Sequence, residues 1–406
     1  MAPTDRSDPP RTGNRPTRHH PPTSHRRRPK HHAPALAAGV VAVAIVASLA
    51  VLVTRPGARQ TVPSTTTRSS STTGSSPSSR SSGTSVAPST PSSTTTRPTH
   101  HAGFAVGSTT LQVPGPAISG RVPMVPTLVS FPATGTTGQV LGAGARPDHR
   151  LGPYPLVLFS PGYDIAPTRY DTLLDSWVAA GYVVAEPVYP GTVPPYLYEA
   201  HIVFDPAEGA AVIGAVISAS ASATGPLAGM VNPQEVAVVG HSDGGDVSYA
   251  LAANSCCKDT AVKAVVVLSG AELTSFGGTY DALGGVPLLV VQGSADTVNV
   301  PACSEEIYDN ASTADPRYYL NLLGAEHEPP YMAPPYDPPT AETATTLLHQ
   351  QIVRTVTLDF LDAYLRGSAS DRAAITTAGS VAGVSTIVSG AGALDVDGTC
   401  PGAPPP

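Results

Sequence analysis

Between residues 103 and 367, six short apolar runs alternate with segments of helical periodicity. Continuous apolar runs are typical of strands that are buried on both faces of a parallel sheet. Strands that alternate with helices fold into a doubly wound sheet through right-handed crossovers. We therefore predict an α/β domain with a mostly parallel sheet and helices on both faces. The predicted strands are Leu156–Ser160, Tyr182–Pro187, Val236–Gly240, Ala264–Ser269, Pro287–Gln292 and Tyr318–Leu323.

Three helices between these strands have their own signals. Apolar residues between Tyr170 and Val178 share one helical face, and a glycine follows them. Asp205 is a candidate cap, with Pro206 in the first helical position. Residues 341–366 form the last amphipathic segment and end at a glycine.

The first hundred residues have a different composition. Residues 1–34 are basic, residues 35–53 are apolar and uncharged, and residues 54–102 are rich in Ser, Thr and Pro. An apolar run of this length, preceded by basic residues, predicts a signal-anchor helix with a cytoplasmic N-terminus. The following segment predicts a disordered stalk. We thus expect a single-pass cell-membrane protein with an extracellular domain, or else a secreted one if the apolar run is a cleaved signal.

Charge is divided unevenly along the chain. The formal net charge is −7, and the N-terminal tail contains many of the basic residues. The globular part is acidic and has no basic patch for phosphates, so we expect no nucleic-acid partner.

Four cysteines are present, which allows three pairings if the domain is exported. Cys256 and Cys257 follow a helix that runs away from the predicted site, whereas Cys303 lies near that site. A Cys303–Cys400 bridge with a Cys256–Cys257 pair fits this separation best. Adjacent cysteines lack the spacing of zinc ligands, so we expect no metal. The Gly/Ala/Pro-rich extension, residues 368–406, has no clear pattern.

The sequence Gly240-His-Ser242-Asp-Gly244 joins the third predicted strand to a small-residue helix. A G-x-S-x-G sequence in a strand–turn–helix context is typical of a nucleophile elbow, which exposes the serine hydroxyl above the sheet. Ser242 is therefore the candidate nucleophile.

Serine needs a base and an orienting acid, which in this arrangement follow it in the order acid, then histidine. Asp296 and His327 each lie just past a predicted strand, at the edge where Ser242 lies. The rival acids fit this placement less well. They are Glu272, Asp281 and Glu326.

A tetrahedral intermediate also needs two hydrogen-bond donors for its oxyanion. The backbone N–H of Asp243, which follows the nucleophile, is one candidate. The loop Ser160-Pro-Gly162-Tyr163 follows the first predicted strand, and we expect the N–H of Tyr163 to be the other.

These elements give the chain, from about residue 103 to 366, a family resemblance. It resembles α/β-hydrolases of the dienelactone hydrolase and platelet-activating-factor acetylhydrolase type, and is similar to chlorophyllases and cutinase-like polyester hydrolases. The resemblance rests on the loop before Tyr163, the strand after Gly181, the elbow, and the loops of Asp296 and His327. It implies cleavage of small-molecule or lipid carboxylic esters through an acyl-enzyme, without a cofactor.

The chain departs from the polyester-hydrolysing relatives at two places. They usually have Trp just after the strand that here ends at Ser269, and Met just after the nucleophile, where this chain has Gly270-Ala271-Glu272 and Asp243 instead. A serine peptidase and a non-catalytic surface protein with the same fold are the alternatives. The first usually has an added propeller domain, and the second would have lost part of the triad.

Tyrosines cluster on the predicted loops at this edge. They line an acyl pocket or anchor half-buried loops, and the sequence favours neither. They are Tyr163, Tyr189, Tyr196, Tyr198 and Tyr331.

Overall fold

The computed structural model describes residues 103–117, 122–163, 165–189, 206–280, 283–311, 316–390, 394 and 398–401. The predicted tail, membrane span and stalk lie outside these residues and stay predictions. No helix among the described residues is long and apolar enough to cross a bilayer.

Among the described residues, ten strands form one sheet. They are β1 (Ala105–Pro114), β2 (Met124–Ala133), β3 (Val140–Ala143), β4 (Tyr154–Ser160), β5 (Val183–Pro187), β6 (Val231–His241), β7 (Val262–Leu268), β8 (Leu288–Gly293), β9 (Arg317–Leu322) and β10 (Ser385–Ser389). Their order across the sheet is β10-β9-β8-β7-β6-β4-β5-β2-β1-β3. Strands β4–β9 are all parallel to one another, whereas β2 pairs antiparallel with β5 at one edge of this block and β10 pairs antiparallel with β9 at the other.

Six α-helices accompany the sheet within the described part of the chain. They are α1 (Asp171–Ala179), α2 (Pro206–Ala221), α3 (Asp243–Ala253), α4 (Pro301–Asn310), α5 (Ala344–Leu365) and α6 (Ala369–Gly379). Short 3-10 helices cover Pro167–Tyr170 and Thr274–Phe276.

The two faces of the sheet are covered by different helices. Along β4, Leu156 and Leu158 pack into a core with α2, α3 and α4, whereas Val157 and Phe159 pack into a second core with α1, α5 and α6. This alternation follows from the pleat, which points successive side chains to opposite faces. The six predicted strands correspond to β4–β9, and the predicted α/β sheet with helices on both faces is confirmed.

The sheet continues past Gly367, where the sequence placed the end of the catalytic domain. Helix α6 packs its buried Ile375 into the second core, and β10 pairs with β9 over its full length. Neither element was predicted, because the Gly/Ala/Pro-rich extension has only a weak pattern of apolar residues. The structure also pairs Cys303 with Cys400 and Cys256 with Cys257, which confirms the expected arrangement.

Candidate active site

The candidate nucleophile lies in a sharp turn between β6 and α3. Ser242 has φ 54° and ψ −129°, a left-handed conformation that costs a non-glycine residue on the order of 1–3 kcal/mol. Its backbone is held on both sides. Its N–H donates to the carbonyl of Leu268 at 3.0 Å, and its own carbonyl accepts from Gly245 at 2.7 Å.

Glycines make this turn possible because the backbone around it is packed closely. A Cβ on Gly240 would lie 2.0 Å from the carbonyl oxygen of Gly244, and a Cβ on Gly244 would lie 2.0 Å from that of Ser160. Strands β4 and β6 and the first turn of α3 therefore meet backbone to backbone. The small residues of the motif are required by this contact as well as by the turn.

The candidate acid and base are in direct contact. Nδ1–H of His327 donates to Oδ2 of Asp296 at 2.7 Å, and both side chains are buried. Since β8 and β9 are parallel neighbours, the loops that follow them lie at one edge of the sheet, as expected from the sequence. This hydrogen bond leaves Nε2 of His327 as the nitrogen with a lone pair.

Asp296 is held by further donors. Its Oδ1 accepts from the backbone N–H groups of Val298 at 2.9 Å and Asn299 at 3.1 Å, and its Oδ2 also accepts from Nε2 of Gln292 at 3.2 Å. A carboxylate with this many donors is fixed in orientation. Among the described residues, the rivals Glu272 and Glu326 make no such contact with His327, and Asp281 lies outside them.

Ser242 and His327 are not hydrogen-bonded to each other within the described part of the chain. His241, which directly precedes Ser242, connects the two loops, because its Nε2–H donates to the carbonyl of His327 at 3.1 Å. Catalytic hydrogen bonds often form only when substrate is bound, so this geometry is compatible with a nucleophile and its base.

The predicted oxyanion loop lies against the elbow. A Cβ on Gly162 would lie 3.3 Å from Cβ of Ser242 and 3.1 Å from Nδ1 of His241. The N–H of Gly162 is occupied, since it donates to the hydroxyl of Tyr170 at 3.0 Å. The N–H groups of Tyr163 and Asp243 have no acceptor among the described residues.

Acidic side chains surround the start of α3. Burial raises the pKa of Asp243 to about 6, although nearby His327 lowers it. Burial also raises the pKa of Asp246 well above its usual value, and the charge of Asp243 adds to this. Oδ1 of Asp246 accepts from the backbone of Ala271 at 2.6 Å, which lies on the loop after β7.

Two tyrosines of the predicted cluster are anchors. Tyr189 is buried and its hydroxyl lies 2.7 Å from Oγ of Ser160, whereas Tyr331 is buried and bonds Oγ of Ser269 at 3.0 Å. Tyr163 is partly buried against the first core. Tyr196 and Tyr198 lie outside the described residues.

Two residues of this region had no role in the sequence interpretation. Tyr170 was assigned only to the apolar face of α1, and it ends the 3-10 helix that precedes α1. His241 was part of the motif without a function of its own. Its position directly before the candidate nucleophile is the one sequence signal that could have singled it out.

Comparison with known protein families finds a match over part of the chain. The chlorophyllase family model matches residues 145–272. The matched segment contains the Tyr163 loop and the elbow with Ser242, and it ends before Asp296 and His327. The match confirms the resemblance to α/β-hydrolases, chlorophyllases among them. A search of the curated proteins finds no match to this chain.

Proposed function

Since this chain has the α/β-hydrolase fold, we propose that it is a serine hydrolase that cleaves carboxylic esters through an acyl-enzyme intermediate. The observation that carries the proposal is the left-handed backbone of Ser242 at the junction of β6 and α3. A strained residue there is expected where the hydroxyl must be lifted toward a substrate. The contact between Asp296 and His327 at the same edge supports it.

The proposed reaction has two halves. Oγ of Ser242 attacks the ester carbonyl while Nε2 of His327 takes its proton, and Asp296 stabilises the resulting imidazolium through Nδ1–H. The N–H groups of Tyr163 and Asp243 donate to the oxyanion. The intermediate collapses as His327 returns the proton to the leaving alcohol.

Water then repeats the sequence on the acyl-enzyme. It attacks the acyl carbonyl as His327 takes one of its protons, and the carboxylic acid leaves as Ser242 regains its hydrogen. Each half conserves protons, because the proton that His327 takes is returned within the same half.

The test is covalent labelling of the full chain. A fluorophosphonate should label Ser242 alone, because only an activated hydroxyl attacks phosphorus at a useful rate. Ser242→Ala and His327→Ala should each lower kcat on a short-chain p-nitrophenyl ester by at least about a thousandfold, and the double variant should be scarcely worse. Asp296→Asn should lose a comparable or smaller amount.

Ser248→Ala is the matched control. Ser248 lies in α3, the helix that follows Ser242, is fully buried, and its hydroxyl has no partner among the described residues. This variant should keep both labelling and turnover. Labelling at another serine, or full activity in Ser242→Ala, would contradict the proposal.

A further inference from the structure

Three segments of the proposed site, two loops and one 3-10 helix, meet at one buried side chain. His241 is fully buried between the loop that carries Gly162, the 3-10 helix that ends at Tyr170, and the loop that carries His327. These segments are far apart in the sequence, with separations of 71 residues from His241 to Tyr170 and 86 to His327.

The hydrogen bonds between them form a directed chain. The N–H of Gly162 donates to the oxygen of Tyr170 at 3.0 Å, and the Tyr170 hydroxyl donates to Nδ1 of His241 at 2.9 Å. Nε2–H of His241 donates to the carbonyl of His327 at 3.1 Å. Each donor has one acceptor, so the chain requires neutral His241 with its proton on Nε2.

The surroundings keep this chain in place. Burial and nearby His327 hold the pKa of His241 well below its usual value, so the ring stays neutral. The ring of Tyr170 packs 4.7 Å from that of Phe159, and the ring of His241 lies 4.9 Å from that of Tyr331. Since the tyrosine and the histidine are fully buried, water cannot readily substitute for either partner.

Each bond ends beside a proposed reacting group. Gly162 directly precedes the oxyanion donor Tyr163, His241 directly precedes Ser242, and the accepting carbonyl belongs to the base His327 itself. We propose that Tyr170 and His241 are positioning residues that hold the oxyanion loop and the base in register with the nucleophile. This inference rests on the proposed function.

The hydrogen bonds from Gly162 through Tyr170 and His241 to His327 are called the relay below. Tyr170→Phe tests the relay because it removes one oxygen and keeps the ring. The matched control is Tyr154→Phe, which removes a buried hydroxyl that donates to the carbonyl of Asp148 at 2.6 Å, at the opposite end of β4. With kcat counted per fluorophosphonate-reactive site, Tyr170→Phe should lose about 10- to 100-fold, with KM within about threefold. Tyr154→Phe should keep its kcat. Equal kcat in the two variants would overturn the relay.

Variants of His241 give a second readout. His241→Gln places an amide N–H near the position of Nε2 but has no acceptor at the position of Nδ1, which Tyr170 contacts, whereas His241→Leu lacks both groups. Gln should therefore retain more kcat than Leu. In the double variant Tyr170→Phe/His241→Gln, kcat should fall within about threefold of the poorer single variant. Both substitutions interrupt the same series of hydrogen bonds, so the second adds little to the loss caused by the first.

Multiplicative losses in that double variant would show that the two residues act separately, and would overturn the inference. An active wild-type enzyme with an unaffected Tyr170→Phe refutes the relay alone. A wild-type chain that neither hydrolyses esters nor reacts at Ser242 refutes the proposed function and the role built on it.

Discussion

At the scale of single residues, the carboxylate directly after the nucleophile has two opposing influences. Asp243 begins α3, and a helix N-terminus favours a negative charge by about 0.3–1 kcal/mol. Burial acts in the other direction and raises its pKa to about 6. A shift of this size is on the order of 2–3 kcal/mol, so the cost of desolvation is the larger effect.

This imbalance predicts a pH-dependent gain in stability for Asp243→Asn. A folded-state pKa above the unfolded one means that the wild type loses stability as the pH rises from about 4 through about 6. The amide never ionises. At pH 7.5 we expect the variant to unfold at a temperature at least about 2 °C higher.

Thermal melts of both proteins from pH 4 to pH 8 measure this difference. It should vanish at pH 4, where both side chains are neutral, and the helix N-terminus then gives no advantage to the acid. A constant offset at all pH values would show that the effect does not come from ionisation.

At the scale of elements, the elbow depends on the absence of side chains at its two flanks. Gly240→Ala should prevent folding or lower the melting temperature by more than about 10 °C, because its Cβ would lie 2.0 Å from the carbonyl oxygen of Gly244. Gly214→Ala is the matched control, since a Cβ there meets nothing within 4 Å and lies in the exposed middle of α2.

The control should be stabilised by about 0.5–1 kcal/mol, as alanine is in a helix interior. Thermal unfolding of the two variants, followed by circular dichroism, measures both changes in stability. A stable Gly240→Ala variant would mean that the backbone of β6 and α3 can separate, contrary to the close contact described above.

The central elements could be predicted from the sequence and the edges could not. Strands β4–β9 are buried on both faces and read as continuous apolar runs, whereas β1 has polar, partly exposed residues along its middle. The loops of Ser242, Asp296 and His327 follow from strand order alone. The contact of Tyr170 with His241 depends on packing across 71 residues, which no local pattern encodes.

At the scale of the whole molecule, the two disulfides should differ in their effect on stability. Cys303–Cys400 closes a separation of 97 residues and joins the C-terminal segment to α4, whereas Cys256–Cys257 joins neighbours. Closing a long loop restricts the unfolded chain, by about 2–4 kcal/mol in typical cases. The Cys256–Cys257 bridge joins adjacent residues and closes no long loop, so it restricts the unfolded chain very little.

Replacing Cys303 and Cys400 by Ala should therefore lower the free energy of unfolding by about 2–4 kcal/mol. Replacing Cys256 and Cys257 by Ala should change it by less than about 1 kcal/mol. Denaturant titrations of the two double variants under non-reducing conditions provide the comparison. Equal losses in both would contradict the loop-closure explanation.

The order of strands also bears on how the protein behaves at high concentration. The outermost strands of the sheet, β3 and β10, have 4 and 5 residues, and both are shorter than the strands they cover. Exposed strand edges are templates for pairing with another chain, and short edge strands offer few unpaired N–H and C=O groups. Strand β9 leads to His327, and β10 pairs with its outer edge. The N–H and C=O groups on that edge of β9 are therefore not open for pairing with another protein molecule.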